Sequence, residues 1–152
     1  MIGVAKALVD KLSGVHHPWA IVGGANLVLR GCSDVANDID IITTRQGAIF
    51  MFSLLRQYAA TELAWSACGN VKSMFFKASV QSSTVEVMGG PANNIRGVWV
   101  PNEMWANSIE QVSVEGTCIP LTSLAYEREI NEQLQNVYRV RVIEECMTML
   151  TR

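Results

Sequence analysis

The sequence predicts an α/β (α+β) fold, in which a small mixed β-sheet is flanked by helices and the chain ends in a C-terminal helix. Three observations lead to this prediction. Short apolar runs typical of strands alternate along the chain with segments that have the three-to-four-residue spacing of amphipathic helices. Two alternating runs, 71–80 and 84–88, are separated by a Ser-Ser pair, which is typical of a β-hairpin. From Ile130 to Leu150, apolar residues recur every three or four positions, which indicates the C-terminal helix.

The first sixty residues contain five predicted elements. The amphipathic pattern at the N-terminus ends at Ser13-Gly14, and a second helical pattern ends at Gly31, a residue suited to the position after a helix. The predicted elements are a helix over 2–12, a strand over 19–22, a helix over 25–30, a strand over 38–42 and a helix over 46–58.

The rest of the chain is predicted to be richer in strands. Residues 89–94 are dense in Gly, Pro and Asn, which favours a loop. Residues 99–105 are apolar but contain a proline, which favours an extended segment with one helical turn. Thr122-Ser123 is suited to cap a helix. The remaining predicted elements are a weak strand over 62–66, the hairpin, a strand over 111–115, and helix to residue 150 with a break near Gln135-Asn136.

Length and composition limit the kinds of protein this can be. A chain of 152 residues is expected to form one domain, 1–152, with a core of its own. With 49% hydrophobic and 17% charged residues, a folded globule is favoured over disorder. The net charge is −2 without a basic block, so a nucleic-acid partner would require a local basic patch. No apolar run approaches the roughly eighteen residues of a membrane helix, so no membrane partner is expected.

The cysteines and histidines do not form a recognisable metal motif. The four cysteines are widely spaced and are predicted to be buried, reduced thiols of a cytoplasmic protein rather than a zinc site. The charged N-terminal helix is unlike a signal peptide. The role of His16 and His17 is left open, because no other ligand lies at motif spacing. The cysteines are Cys32, Cys68, Cys118 and Cys146.

Two short patterns carry the candidate chemistry. Gly23-Gly24 follows a buried strand and begins a helix, where free N–H groups favour a phosphate. Asp38 and Asp40 lie on one face of the next strand, about 7 Å apart by strand rise. An Asp-x-Asp pair alone is more often a solvated strand face, but like charges on one face repel unless a cation lies between them. With the glycine pair upstream, the pattern favours phosphoryl or nucleotidyl transfer.

Glu86 is a third acidic candidate. It alternates with Thr84 and Met88 on one face of the second hairpin strand. A single acid on that strand is costly if the face is buried, unless it is paired or binds a metal. An exposed sheet face is an equally good interpretation from these residues alone.

Taken in order, these motifs resemble the minimal nucleotidyltransferase domain of the DNA polymerase β-like superfamily, in its archaeal and bacterial single-domain form. The resemblance extends through 71–75, 85–89 and 119–127. It implies that two Mg²⁺ (or Mn²⁺) ions are held by the three acids, with Glu86 as the general base. It also implies that Gly23-Gly24 holds the β- and γ-phosphates of an NTP. The residues are Asp38, Asp40 and Glu86 for the metal, with Lys72 or Lys77 as candidate phosphate partners.

The activity implied by this resemblance is transfer of a nucleoside monophosphate from an NTP to a hydroxyl acceptor, with release of pyrophosphate. The acceptor is left open among an RNA end, a protein hydroxyl and a small molecule. A homo-oligomer or a partner protein is expected to complete the pocket, because the chain is small.

Several residues depart from the family pattern. Gly24 stands where Ser is common, and Asp34 and Ala36 stand where Arg and Thr are common. Met74 replaces a frequent His, and Gln135-Asn136 replaces Gly-Arg. These departures favour an alternative, a non-catalytic nucleotide- or partner-binding module of antitoxin-like or regulatory type. A third interpretation is a globular domain whose acids are only solvated.

Overall fold

The computed structural model describes residues 1–33 and 35–152. Within this part of the chain, five α-helices surround eight strands. Short 3-10 turns over Arg56–Tyr58 and Met104–Asn107 complete the secondary structure. The helices are α1 (Ile2–Lys11), α2 (Gly23–Leu29), α3 (Arg45–Leu55), α4 (Leu124–Gln133) and α5 (Val137–Leu150). The strands are β1 (Trp19–Val22), β2 (Asp38–Thr43), β3 (Ala64–Cys68), β4 (Val71–Val80), β5 (Ser83–Ile95), β6 (Val98–Pro101), β7 (Ile109–Val114) and β8 (Thr117–Thr122).

The strands form one mixed sheet in the order β3-β4-β5-β2-β1-β8-β7, and β6 pairs with β5 beside this path. The β2–β5 and β1–β8 pairs are parallel, whereas the other neighbours are antiparallel. The predicted mixed sheet, flanking helices and C-terminal helix are therefore confirmed. The sequence did not define the strand order, because residues more than forty positions apart pair at its centre.

One side of the sheet, which we call the packed face, is covered by α1 and α3. Its strand side chains include Ile39, Ile41, Val85 and Val87, all fully buried. Phe76 lies beside them, and its ring centroid is 5.1 Å from that of Phe52 in α3, in an edge-to-face arrangement. Apolar area removed from water on this face supplies the main driving force for folding.

The other side of the sheet, which we call the open face, is only partly covered. Ala20 and Ile42 contact Tyr126 and Ile130 of α4 together with Trp105. The N-terminus of α4 is capped by the Ser123 hydroxyl, which accepts a hydrogen bond from the Tyr126 N–H at 3.1 Å. This confirms the predicted cap and sets α4 across the open face.

The prediction of a loop over 89–94 is wrong, because β5 continues through these residues to Ile95. Gly89 lies so close to α3 that an added Cβ would overlap Ala48 and would lie 2.8 Å from the Thr44 carbonyl oxygen. Gly90 has φ +59°, which glycine accepts without strain. The glycines therefore allow helix and strand to approach closely, and they do not end the strand.

The cysteine prediction is also wrong. Cys32 and Cys146 form a disulfide, with 5.3 Å between their Cα atoms. Cys68 and Cys118 are exposed free thiols on β3 and β8, rather than buried ones. The pairing was not visible in the sequence because 114 positions separate the two cysteines. In a separate finding, no helix of the described residues is long and apolar enough to cross a membrane.

The predicted break in the C-terminal helical region is confirmed. Gln135 has φ +58°, a left-handed conformation that ends α4. The Asn136 side chain then caps α5 by accepting a hydrogen bond from the Arg139 N–H at 3.3 Å. The break turns α5 back along α4 and α2, where Leu27, Leu124 and Ile143 form a small apolar cluster.

Candidate active site

A row of charged side chains crosses three neighbouring strands on the open face. Asp40 of β2 is directly opposite Glu86 of β5, which is directly opposite Lys77 of β4. The Lys77 Nζ lies 3.3 Å from the Glu86 Oε1. The strands that carry the three acids are therefore neighbours in the sheet. Asp38 is opposite Thr84, one repeat along the same face.

Asp40 lies in an unusual electrostatic environment. Its pKa is raised from 3.8 to about 7, most of all by burial, then by the charge of Glu86 and a hydrogen bond with Glu86, and least by the charges of Asp38 and Glu127. Its Oδ1 is buried and has no hydrogen-bond partner among the described residues. Near neutral pH Asp40 is therefore partly protonated, because burial and the neighbouring negative charges disfavour its ionised form.

The donor set fits a divalent cation as a carboxylate pair. Asp40 and Glu86 present hard oxygen ligands side by side, and the Asp40 Oδ1 lacks any other partner in the described structure. Mg²⁺ is commonly bound through one or two carboxylates and keeps water or substrate oxygens for the rest of its shell. In the part of the chain that the structure describes, no three His, Cys, Asp or Glu side chains converge as a ready-made metal site. The predicted metal role of Asp38, Asp40 and Glu86 stays a prediction.

The glycine turn lies at the edge of this site. Gly23 has φ +71°, and a Cβ there would lie 3.6 Å from the Asp40 Oδ2. Any other residue would be strained by this positive φ, while its Cβ would make only an ordinary contact with the carboxylate. The Gly23 N–H is not free for a phosphate, because it donates to the Glu127 Oε1 at 2.9 Å. A Cβ at Gly24 would lie 3.6 Å from the Arg139 Nη1, so a guanidinium of α5 faces the turn.

Glu127 is a site residue that the sequence analysis did not single out. It is only 3% exposed, and its Oε1 accepts hydrogen bonds from the Gly23 N–H, the Asn26 Nδ2 and the Thr122 Oγ1, the last at 2.7 Å. These bonds join α4 to the glycine turn and to the end of β8. No local signal marks it, because an acid in the first turn of a capped helix is common.

The two candidate lysines lie in different places. Lys77 is in the charged row, whereas the Lys72 Nζ stands 5.2 Å from the centre of the Trp99 ring. Five positions separate them on one strand, so their side chains point to opposite faces of the sheet. The structure does not bring Lys72 to the acids, and strand alternation could have shown this. Arg139, from the distant α5, is the basic group that sequence reasoning missed.

A cavity of about 200 Å³ extends from the acids beneath α4. Asp40 and Gly23 lie at one end, and Asn93 and Asn102 line it further along the sheet. The Tyr126 hydroxyl accepts a hydrogen bond from the Asn102 Nδ2 at 2.8 Å, and burial raises the Tyr126 pKa well above its usual value.

One of the residues that depart from the family pattern, Asp34, lies outside the described residues.

No protein-family model matches this sequence, and no curated protein matches it. Solved structures do match. A Thermotoga maritima protein, described provisionally as a nucleotidyltransferase, is 22% identical with a TM-score of 0.80 over 97% of this chain and 92% of its own. The lincosamide antibiotic adenylyltransferase LnuA, solved with lincomycin bound, is 11% identical with a TM-score of 0.62 over 95% of this chain and 96% of its own.

The antibiotic-resistance factor ANT(2″)-Ia is 14% identical, with a TM-score of 0.58 over 99% of this chain and 86% of its own. Another structure of that protein is a complex with adenylyl-2″-tobramycin. At these identities the likeness shows the fold alone. The chain therefore has the nucleotidyltransferase fold, as the resemblance of its motifs implied.

Proposed function

We propose that residues 1–152 act as one unit that transfers a nucleoside monophosphate from an NTP to a hydroxyl acceptor and releases pyrophosphate, with Mg²⁺ or Mn²⁺ as cofactor. One observation carries the proposal. In a nucleotidyltransferase fold, Asp40 and Glu86 are opposed across parallel strands, and the buried Asp40 Oδ1 has no partner among the described residues. Such a pair is costly unless a cation binds it.

The metal would be held by Asp40 and Glu86, with Asp38 of the same face as the third ligand. When bound, the cation stabilises the charge that develops on the attacking and leaving oxygens. Lys77 holds the Glu86 carboxylate in position through their 3.3 Å ion pair. The exposed end of Lys77, 42% accessible, leaves this ion pair able to rearrange when substrate enters.

The triphosphate would lie along the Gly23-Gly24 turn. Gly24 places no side chain between the turn and the Arg139 guanidinium, which supplies positive charge and several N–H donors. Arg139 would thereby serve as the phosphate partner, the role for which the sequence suggested Lys72 or Lys77. Glu127 accepts the hydrogen bond of the Gly23 N–H and thereby fixes the position of the turn relative to α4.

The chemical step is an in-line displacement at the α-phosphorus. The acceptor oxygen forms a bond to this phosphorus while the bond from phosphorus to the bridging oxygen breaks, and pyrophosphate leaves with the electron pair. Glu86 receives the acceptor's hydroxyl proton, which is the role of a general base. The small-molecule acceptors named for LnuA and ANT(2″)-Ia make a small-molecule hydroxyl the first class to test. An RNA end and a protein hydroxyl follow, and a second copy or a partner protein would complete the acceptor side.

Transfer of label from each of four α-³²P NTPs tests this proposal. The protein is incubated with Mg²⁺ and separated small-molecule, RNA and protein fractions of a cell extract. Label is expected in one fraction with the wild type and not with Glu86→Gln, whereas Glu62→Gln, an exposed acid on a loop, is expected to keep it. Label that persists with Glu86→Gln would contradict the role of Glu86.

A second candidate function is a nucleotide- or partner-binding module without catalysis. The occupied Gly23 N–H favours it, because a donor that the transfer chemistry would aim at phosphate is held by a carboxylate instead. NTP binding without label transfer in any fraction would establish this alternative and exclude the enzyme.

A further inference from the structure

Two amide side chains beneath α4 are buried without full hydrogen bonding. Asn93 is 3% exposed and Asn102 is 8% exposed. The Asn93 Nδ2 and the Asn102 Oδ1 have no partner among the described residues, although the other end of Asn102 donates to Tyr126. Native proteins rarely bury such groups unsatisfied unless water or a ligand completes them.

The two amides are neighbours on one face of the β5–β6 pair. Asn93 is opposite Val100, and Asn102 follows two positions later on the same face, its N–H bonded to the Pro91 carbonyl oxygen at 2.9 Å. Diagonal neighbours of this kind are within reach of one ligand. Together they present a free N–H donor beside a free carbonyl acceptor.

The rest of the cavity is suited to a flat, uncharged ring. Within the described residues that line it, there is no Lys, Arg or His, and its charged members are the acids Asp40 and Glu127. Inside the cavity, away from a cation at Asp40, a phosphate would be repelled by these acids. Its volume of about 200 Å³ suits one ring system rather than a whole nucleotide. The walls are apolar and consist mainly of Val22, Ile42, Val71, Met88, Ile130 and Leu134.

We infer that this cavity is a nucleobase subsite, in which Asn93 donates to and Asn102 accepts from the edge of the base. Bases have apolar faces and carry adjacent donors and acceptors on their edges, which matches the walls and the amide pair. The inference rests on the proposed function, since the cavity begins at Asp40, where the α-phosphate of the same nucleotide would lie.

Binding of the four ribonucleosides, measured without metal by saturation-transfer NMR and calorimetry, tests the subsite separately from the chemistry. The wild type is expected to bind at least one nucleoside, with a preference among bases. Asn93→Asp replaces the free donor by an acceptor and is expected to weaken that binding about tenfold or more. Asn102→Ser is a second variant, and Asn107→Asp, an exposed residue, is the matched control expected to bind as the wild type does.

The possible results separate the two proposals. Nucleoside binding that Asn93→Asp weakens, in a protein that transfers no label, would support the subsite and overturn the proposed activity. Label transfer by a wild type that binds no free nucleoside and uses all four NTPs equally would overturn the subsite alone. Equal nucleoside binding by the wild type and a folded Asn93→Asp or Asn102→Ser variant would also overturn it. If neither variant folds, the wild type alone decides. Nucleoside binding with a preference among bases would support the subsite, and no nucleoside binding together with equal use of all four NTPs would overturn it.

Discussion

The two faces of the sheet are built from the same strands but differ in how completely their groups are satisfied. In β2, Ile39 and Ile41 point to the packed face and are fully buried among apolar side chains. Asp38 and Asp40 alternate with them and point to the open face. The three buried polar side-chain atoms without partners in the described structure belong to Asp40, Asn93 and Asn102, which all line the cavity of the open face.

This difference shows that stability and candidate chemistry are separated by strand alternation. The β2 and β5 side chains of the packed face are apolar and buried, whereas the open face keeps polar atoms that lower stability until a ligand completes them. Removing side chains from the packed face should therefore lower stability, whereas neutralising the acids of the open face should preserve or raise it in the absence of a ligand.

Removing a large side chain from the packed face should have the largest effect on folding. Phe76 is fully buried, so Phe76→Ala is expected to lower the free energy of unfolding by about 3–5 kcal/mol. Urea unfolding followed by circular dichroism measures it. Phe50→Ala, at a side chain that is 44% exposed, is the matched control and should cost far less. Equal losses would mean that the packed face is not the main core.

Stability of the metal-free protein should fall as pH rises because of Asp40. Its pKa is about 7 in the folded protein and near 3.8 when unfolded, so between these values the unfolded state binds fewer protons and stability decreases with pH. The decrease is on the order of 4 kcal/mol and levels off above pH 7. Thermal melts from pH 4 to 8 should show it in the wild type and in Asp10→Asn, an exposed control, but much less in Asp40→Asn. A pH dependence unchanged in Asp40→Asn would refute this account.

Divalent cations should offset the loss of stability that ionised Asp40 causes. Mn²⁺ at a hundred times its dissociation constant is expected to stabilise the wild type by about 2.7 kcal/mol. Asp40→Asn should lose most of this response and, at pH 8 without metal, should melt at least as high as the wild type. Thermal melts with and without Mn²⁺ measure both effects, with Asp10→Asn as the control that keeps the response. A response of the same size in Asp40→Asn would remove Asp40 from the metal site.

The smallest effect distinguishes the two acids next to Asp40. Glu86 raises the Asp40 pKa by charge and by a hydrogen bond, whereas Glu127 raises this pKa by charge alone and less strongly. Glu86→Gln should therefore lower the Asp40 pKa more than Glu127→Gln does. Carbon-13 NMR titration of the Asp40 carboxyl group measures both values. The reverse order would place Glu127, and not Glu86, as the closer partner.

Much of the fold was predictable because its signals are local. The alternation of β4, the apolar run of β1 and the spacing of α5 depend on neighbouring residues, and the structure confirms them. The extension of β5 was not predictable, since Gly89 looks like a turn residue until α3 is seen against it. The cavity amides and Glu127 were missed for the same reason. Each acquires its importance from contacts with residues distant in the sequence.

The acids were predictable as candidates because alternation places Asp38 and Asp40 on one face before any fold is known. Their partner was identified through the family resemblance, and β2–β5 pairing puts Glu86 opposite Asp40. The basic side of the site was not predictable in this way. Arg139 reaches Gly24 only because the chain turns at Gln135 and returns along α2.

The Cys32–Cys146 disulfide divides the chain into a covalent ring and a free N-terminal tail. The ring contains every strand of the sheet except β1, which lies in the tail and yet pairs with β2 on one side and β8 on the other. Without β1 the sheet would be two separate pieces. The bridge therefore fastens α5 to the end of α2. The two parts of the sheet are joined by the four residues of β1, which lie outside the covalent ring. Val22 and Gly23, which border the Asp40 cavity, lie at the end of that unenclosed strand.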